Sequence, residues 1–145
     1  MSLFISGARV FTPGRNLGVV SLRVEGNQIA AVGSEISASS GDKVIDASGL
    51  VLLPGFVDIH SHGRGGADFC DATDEAFRTI GVGKLSDGVT SFLATGLTRP
   101  EENLAEMCRC VERYKEKGEG AKCLGVHLEG PFFNPATFET IAFGS

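Results

Sequence analysis

All three histidines of the chain sit near acidic residues in two short stretches, Asp58-Ile59-His60-Ser61-His62 and His127-Leu128-Glu129. Imidazole and carboxylate together suit Zn²⁺, Fe²⁺ or Mn²⁺ and match Mg²⁺ alone poorly. Such a cation lowers the pKa of a bound water toward neutrality, which makes a nucleophile for attack on a carbonyl. An isolated H-x-H or His-Leu-Glu carries little information. The joint pattern carries more, because each stretch closes an apolar run that reads as a strand.

At strand period, Phe56, Asp58, His60 and His62 point to one face, and Val57, Ile59 and Ser61 to the other. The first face offers two imidazoles to one divalent cation. The second is apolar enough to pack under helices. In the later run, Gly125, His127 and Glu129 share a face, while Leu124, Val126 and Leu128 share the opposite one. Asp58 has two readings: it orients a metal ligand from behind, or it hydrogen-bonds to nearby backbone. Thr95 either lines the site or caps a strand end. Arg64, between Gly63 and Gly65-Gly66, either touches a phosphate or belongs to a solvated loop.

The elements that must carry these residues follow a regular rhythm after Pro54. A buried strand over about 52–60 leads into the glycine-rich loop, and Thr73 then caps a helix with Asp74 and Glu75 in its first turn. Phe77, Ile80, Lys84 and Leu85 follow at helical spacing. Residues 88–95 read as a second strand. A second helix begins at 98–102, with Leu104, Met107, Cys108, Val111 and Tyr114 as its buried stripe. Residues 121–128 make a third strand. Strand, helix, strand, helix, strand implies an α/β fold with a parallel sheet and right-handed crossovers. Function in such sheets sits where strands end, and His60, His62, Thr95, His127 and Glu129 lie there.

Residues 1–53 read differently, as a small β subdomain acting as scaffold. Leu3-Phe4-Ile5 and Arg9-Val10-Phe11 flank Gly7, and runs at 19–24 and 28–32 flank the turn Glu25-Gly26-Asn27. Lys43–Asp46 and Leu50–Leu53 complete it, and Ser34–Asp42 is a loop.

Composition sets the outer limits. The chain has 145 residues, 42% hydrophobic and 21% charged, as in ordinary globular proteins with a real core. Its net charge of -5 gives no reason to expect nucleic acid or an anionic membrane as partner. No apolar run approaches the ~20 residues of a membrane span. The first residues lack a signal peptide's charged-then-apolar build, so a cytoplasmic location is expected. Cys70, Cys108, Cys110 and Cys123 fit neither a disulfide framework nor a paired zinc site. Reduced thiols are expected, with Cys108 in a core.

Two groups of residues carry a family resemblance. Asp46-Ala47-Ser48-Gly49 and Leu53-Pro54-Gly55-Phe56-Val57-Asp58-Ile59-His60-Ser61-His62 resemble the amidohydrolase superfamily, metal-dependent hydrolases on a TIM barrel with an attached β-sandwich. Gly88–Thr95 and His127-Leu128-Glu129-Gly130-Pro131-Phe132 narrow the likeness to the N-acetylglucosamine-6-phosphate deacetylase family within it. The resemblance implies a β-sandwich subdomain over 1–53 and the start of a (β/α)₈ barrel over 54–145, with its first three strands.

It also implies hydrolysis of the acetamide of an amino-sugar phosphate, with a divalent metal, Zn²⁺ before Fe²⁺ or Mn²⁺. Glu129 then corresponds to the carboxylate ligand, and His60 and His62 to the pair that holds a second metal in members keeping H-x-H. Asp58 and His127 stand behind the ligands, and Gly130 lines the sugar pocket. A homo-oligomer, a dimer, is the implied assembly.

The family's later histidines and its proton-shuttling Asp have no counterpart before the chain's last residue. A full barrel takes ~250 residues. The barrel is therefore incomplete in this chain, and activity is expected only as part of a longer polypeptide. Two alternatives stand beside that reading. One is an inactive fragment that oligomerises through its raw strand edge; the other is a dihydroorotase-like cyclic amidase.

Overall fold

A single long strand opens the chain where two short ones were expected around Gly7. The computed structural model describes residues 2–131, and in it β1 runs Ser2–Thr12 without a break. Gly7 is absorbed as a bulge, since the pairing with the next strand slips between Ile5 and Ala8. Its φ of 70° is one that glycine adopts freely, and a Cβ there would meet Ser48 Oγ at 2.8 Å. The strand continues because Val10 on the far side of the bulge still reaches the core made with Ala8, Leu22 and Ala47.

β2 (Arg15–Glu25) and β3 (Gln28–Gly33) follow antiparallel, while β4 (Lys43–Asp46) and β5 (Val51–Leu52) pair parallel to β1. The order is β3-β2-β1-β4, with β5 also on β1. These five strands form one sheet, so the first unit is a β-sheet subdomain. The Ser34–Asp42 loop is tied down by Arg23, whose guanidinium donates to the Ser37 carbonyl at 2.8 Å and to Asp42 at 3.1 Å.

The chain divides into two compact units, Met1–Pro54 and Gly55–Ser145. In the second, β6 (Phe56–Ser61), β9 (Val89–Gly96) and β10 (Lys122–Leu128) form a parallel sheet in the order β10-β9-β6. Between β6 and β9 come a hairpin of β7 (Gly63–Arg64) and β8 (Ala67–Asp68), a 3₁₀ turn (Phe69–Asp71) and α1 (Asp74–Ser86). Gly65 and Gly66, at φ 66° and 83°, make the hairpin's tight turn, so this glycine run is an ordered ribbon and not a solvated loop.

Thr73 caps α1 by accepting from the Ala76 N–H at 3.2 Å. α2 (Glu101–Lys117) joins β9 to β10.

The core of this unit lies between the sheet and the two helices. Phe69, Phe77 and Phe92 are fully buried and form a ring cluster with Tyr114: Phe69 stacks on Phe92, and the other neighbouring pairs are tilted, with centroids 5.0–6.0 Å apart. Each such ring stabilises the fold by roughly 1.5–3 kcal/mol through burial alone. On α2 the buried stripe is Leu104, Met107, Cys110, Val111 and Tyr114. On α2 the core thiol is Cys110 and not Cys108, because Cys110 falls on the helix face that Met107, Val111 and Tyr114 bury. All the cysteines are free.

A second expectation fails at β6. Val57 and Ile59, expected beneath helices, are 57% and 64% exposed. Among the described residues β6 is an outer strand, and the helices cover the side that Phe92 and Ala94 present from β9. No helix among the described residues is long and apolar enough to cross a membrane. Phe132 and the tail at 134–145 lie outside the described residues.

Candidate metal centre

Strand parity alone does not decide which way the residues of β6 point. Against β9, β6 advances from Asp58 to Ser61 while its partner advances only from Phe92 to Ala94. That extra residue is a bulge, and it breaks the alternation just before the second histidine. Asp58 and Ser61, expected on opposite faces, both reach one ammonium: Lys84 Nζ lies 2.7 Å from Asp58 Oδ2 and 2.6 Å from Ser61 Oγ. Asp58 therefore leaves the face of the imidazoles and turns toward α1. Its Oδ1 accepts the His60 N–H at 3.1 Å.

His60 and His62 turn toward the end of β10. Glu129, one residue past that strand, is fixed by its own N–H, which donates to the Gly96 carbonyl at the end of β9 at 2.9 Å. Its Oε2 lies 3.2 Å from His60 Nε2 and 3.0 Å from His62 Nε2. One ligating atom from each of the three residues falls within 4.8 Å of the others. The His127 ring lies beside that of His60, centroids 4.8 Å apart, which puts all three histidines in one cluster.

The donor set suits a borderline-soft divalent cation. Ligands at the 2.0–2.1 Å of a tetrahedral zinc site stand about 3.3 Å from one another. The two imidazole–carboxylate distances are already near that spacing. His62 Nδ1 is buried without a hydrogen-bond partner among the described residues, so its neighbourhood has an unmet polar demand. The three side chains remain one-third to one-half exposed and so accessible to solvent.

Other residues singled out in the sequence go elsewhere. Thr95 is fully buried and accepts the N–H of Ser61, the last residue of β6, through Oγ1 at 3.1 Å, a cross-strand tether at the strand end. Arg64 donates to Asp87 at 2.8 Å and to Ser86 at 3.2 Å. Gly130 follows Glu129 with φ 96°, a conformation open to glycine. A cavity of about 310 Å³ lies between α1 and α2, lined by residues that include Phe77, Arg78, Arg113 and Tyr114. Its guanidinium groups are already taken, Arg78 by Glu119 and Arg113 by Asp74 and Glu106.

Lys84 is the residue that sequence reasoning passed over, placing it only at helical spacing. It is 4% exposed, and its ammonium also lies 5.6 Å from the centre of the Phe92 ring. The available signal was a lone cation in line with Phe77 and Ile80 on the inner face of α1. Desolvation, the largest influence on the Asp58 carboxyl, pushes its pKa up. The Lys84 hydrogen bond and charge, the His60 N–H and the Ser61 hydroxyl outweigh it and hold the group below the usual carboxylate range.

A family model for the amidohydrolase family matches residues 51–142, well over half of the chain. The chain belongs to the amidohydrolase family. Among its curated relatives, the N-acetylglucosamine-6-phosphate deacetylase of Lysinibacillus sphaericus is 34% identical over 133 residues, covering 91% of this chain and 34% of the relative. The solved N-acetylglucosamine-6-phosphate deacetylase of Pasteurella multocida superposes with a TM-score of 0.84 at 26% identity, over 94% of this chain and 36% of that one.

A Mycobacterium smegmatis deacetylase mutant, solved in complex with N-acetyl-D-glucosamine-6-phosphate, superposes at 0.72 with 25% identity, over 92% of this chain and 34% of its own. This amidohydrolase chain thus spans about a third of the length of the deacetylases it matches.

Proposed function

We propose that the chain supplies the histidine pair and carboxylate that hold a divalent cation in a deacetylase acting on N-acetylated amino-sugar 6-phosphates. The observation that carries this is the meeting of two imidazole nitrogens and one carboxylate oxygen within 4.8 Å at the ends of parallel strands. The deacetylase relatives support the substrate class. When bound, the cation supplies Lewis acidity toward the amide carbonyl and lowers the pKa of a coordinated water.

The chain's own residues do the holding. His60 and His62 each offer a ring nitrogen, and Glu129 offers one oxygen shared by both. Asp58 and His127 stand behind His60, one on its backbone and one on its ring. Gly130, exposed beside Glu129, lets a sugar approach the carboxylate closely. Hydrolysis of the amide gives acetate and the free amine. The proton-shuttling Asp that the resemblance implies is not among these residues, so the 145-residue chain on its own is inactive in this reading. Zn²⁺ is the first choice of metal, the location is the cytoplasm, and the whole protein is a homo-oligomer.

Calorimetric titration with Zn²⁺ tests the metal. The wild-type chain is expected to bind one equivalent, and Glu129→Gln to weaken binding at least about tenfold. Equal affinity would sink the assignment. Acetate release from N-acetylglucosamine 6-phosphate tests the chemistry: none is expected from this chain, and turnover from a version extended to the relatives' length. A non-catalytic module is favoured by a different observation, that among the described residues β6 and β10 each pair on one side only. A light-scattering mass that is a multiple of 15.2 kDa without any Zn²⁺ uptake would support that reading instead.

A further inference from the structure

We propose that Lys84 is a positioning residue for the histidine pair, acting through Asp58 and Ser61. The inference rests on the reading of His60, His62 and Glu129 as a cation site. β6 is poorly held by packing at this point, since Val57 and Ile59 are both exposed. Hydrogen bonds must therefore set where its two imidazoles stand. Lys84 makes two of them, to Asp58 Oδ2 at 2.7 Å and to Ser61 Oγ at 2.6 Å.

Both partners act directly on the histidine-bearing backbone. Asp58 Oδ1 accepts the His60 N–H at 3.1 Å. Ser61 lies between the two histidines, and its own N–H is held by buried Thr95 at 3.1 Å. The ammonium thus spans the bulge from one end to the other. It fixes how far the chain is gathered between Asp58 and Ser61, and with it the separation of the imidazoles on either side of Ser61.

A buried ion pair is a poor device for stability alone, because desolvating two charges offsets most of their attraction. Well-packed apolar residues would serve as well or better. What an apolar pair cannot do is hold a backbone N–H and a hydroxyl at set positions while keeping a strand bulged. Such supporting partners of metal ligands typically change affinity by about 10–100-fold when removed.

The test uses Co²⁺ as a spectroscopic probe on the full 145-residue chain, read by calorimetric affinity and by the visible absorption of the bound ion. Lys84→Met is expected to weaken Co²⁺ binding at least about tenfold and to alter the absorption bands. Ser61→Ala, which keeps the Lys84–Asp58 pair and so keeps the fold, is expected to weaken it severalfold with a smaller spectral change. Tyr114→Phe serves as a control that loosens α2 remote from the site, with affinity and spectrum unchanged.

Wild-type affinity and spectrum in both Lys84→Met and Ser61→Ala would overturn the positioning role and leave the metal site standing. So would an equal loss in Tyr114→Phe, which would mark the effect as general loosening. A wild-type chain that takes up no Co²⁺ would remove the metal reading itself.

Discussion

Asp42 shows how single side chains hold the β-sheet unit together. Its carboxylate accepts from the Ser2 hydroxyl, from the Ser39 N–H at 2.7 Å and from Arg23 at 3.1 Å. The Ser2 hydroxyl first, then the Ser39 N–H and, against desolvation, the Arg23 guanidinium hold its pKa below the usual carboxylate range. A depressed folded-state pKa means stability that is present above the unfolded value near 3.9 and lost as pH falls through the folded one. Asp42→Asn is therefore expected to lower the melting temperature at pH 7 and to match the wild type increasingly closely below pH 4. Parallel thermal scans by circular dichroism check this, and a gap that widens in acid would contradict it. Lys84 acts at the same scale by a different route, since its partners matter more than its charge.

At the scale of elements, α1 and α2 meet over a glycine. A Cβ on Gly81 would overlap the Tyr114 hydroxyl, which donates to the Glu119 and Ala121 carbonyls, while the Gly81 carbonyl accepts the Ala121 N–H at 2.9 Å. Gly81→Ala would gain about 1 kcal/mol in helix propensity. Overpacking costs roughly 1–3 kcal/mol and wins, because backbone and ring are both pinned. A net loss of up to about 2 kcal/mol is expected in urea melts, and a stabilised variant would show that the helices move apart freely.

Much at this scale was legible in the sequence. Apolar periodicity located β9, β10, α1 and α2, Thr73 announced its cap, and the H-x-H and His-Leu-Glu stretches fell at strand ends. Bulges were not legible, because a slip in register is decided by two strands together and leaves no mark in either one. The faces of Asp58 and Ser61 went astray for that reason. Lys84 was hidden similarly: its burial is explained by an Asp on β6, 26 residues earlier.

For the molecule as a whole, the distribution of apolar surface is the dominant feature. Val19, Ile29, Val44, Leu50 and Val51 are exposed in the first unit, and Phe56, Val57 and Ile59 in the second. Exposure on this scale in soluble chains marks surfaces that meet another surface. The chain is expected to bind a hydrophobic dye such as ANS under native conditions and to associate as concentration rises. A dye-silent species of 15.2 kDa across a wide concentration range in light scattering would count against this.

The separation along the chain between the imidazoles and their carboxylate has a larger consequence. His60 and Glu129 are 69 residues apart, so bringing them together closes most of the α/β unit into a loop. Closure of that length costs about 4 kcal/mol of chain entropy. Whatever grips all three groups at once ties β6 to the end of β10, and its departure would be felt in strands and helices it never touches.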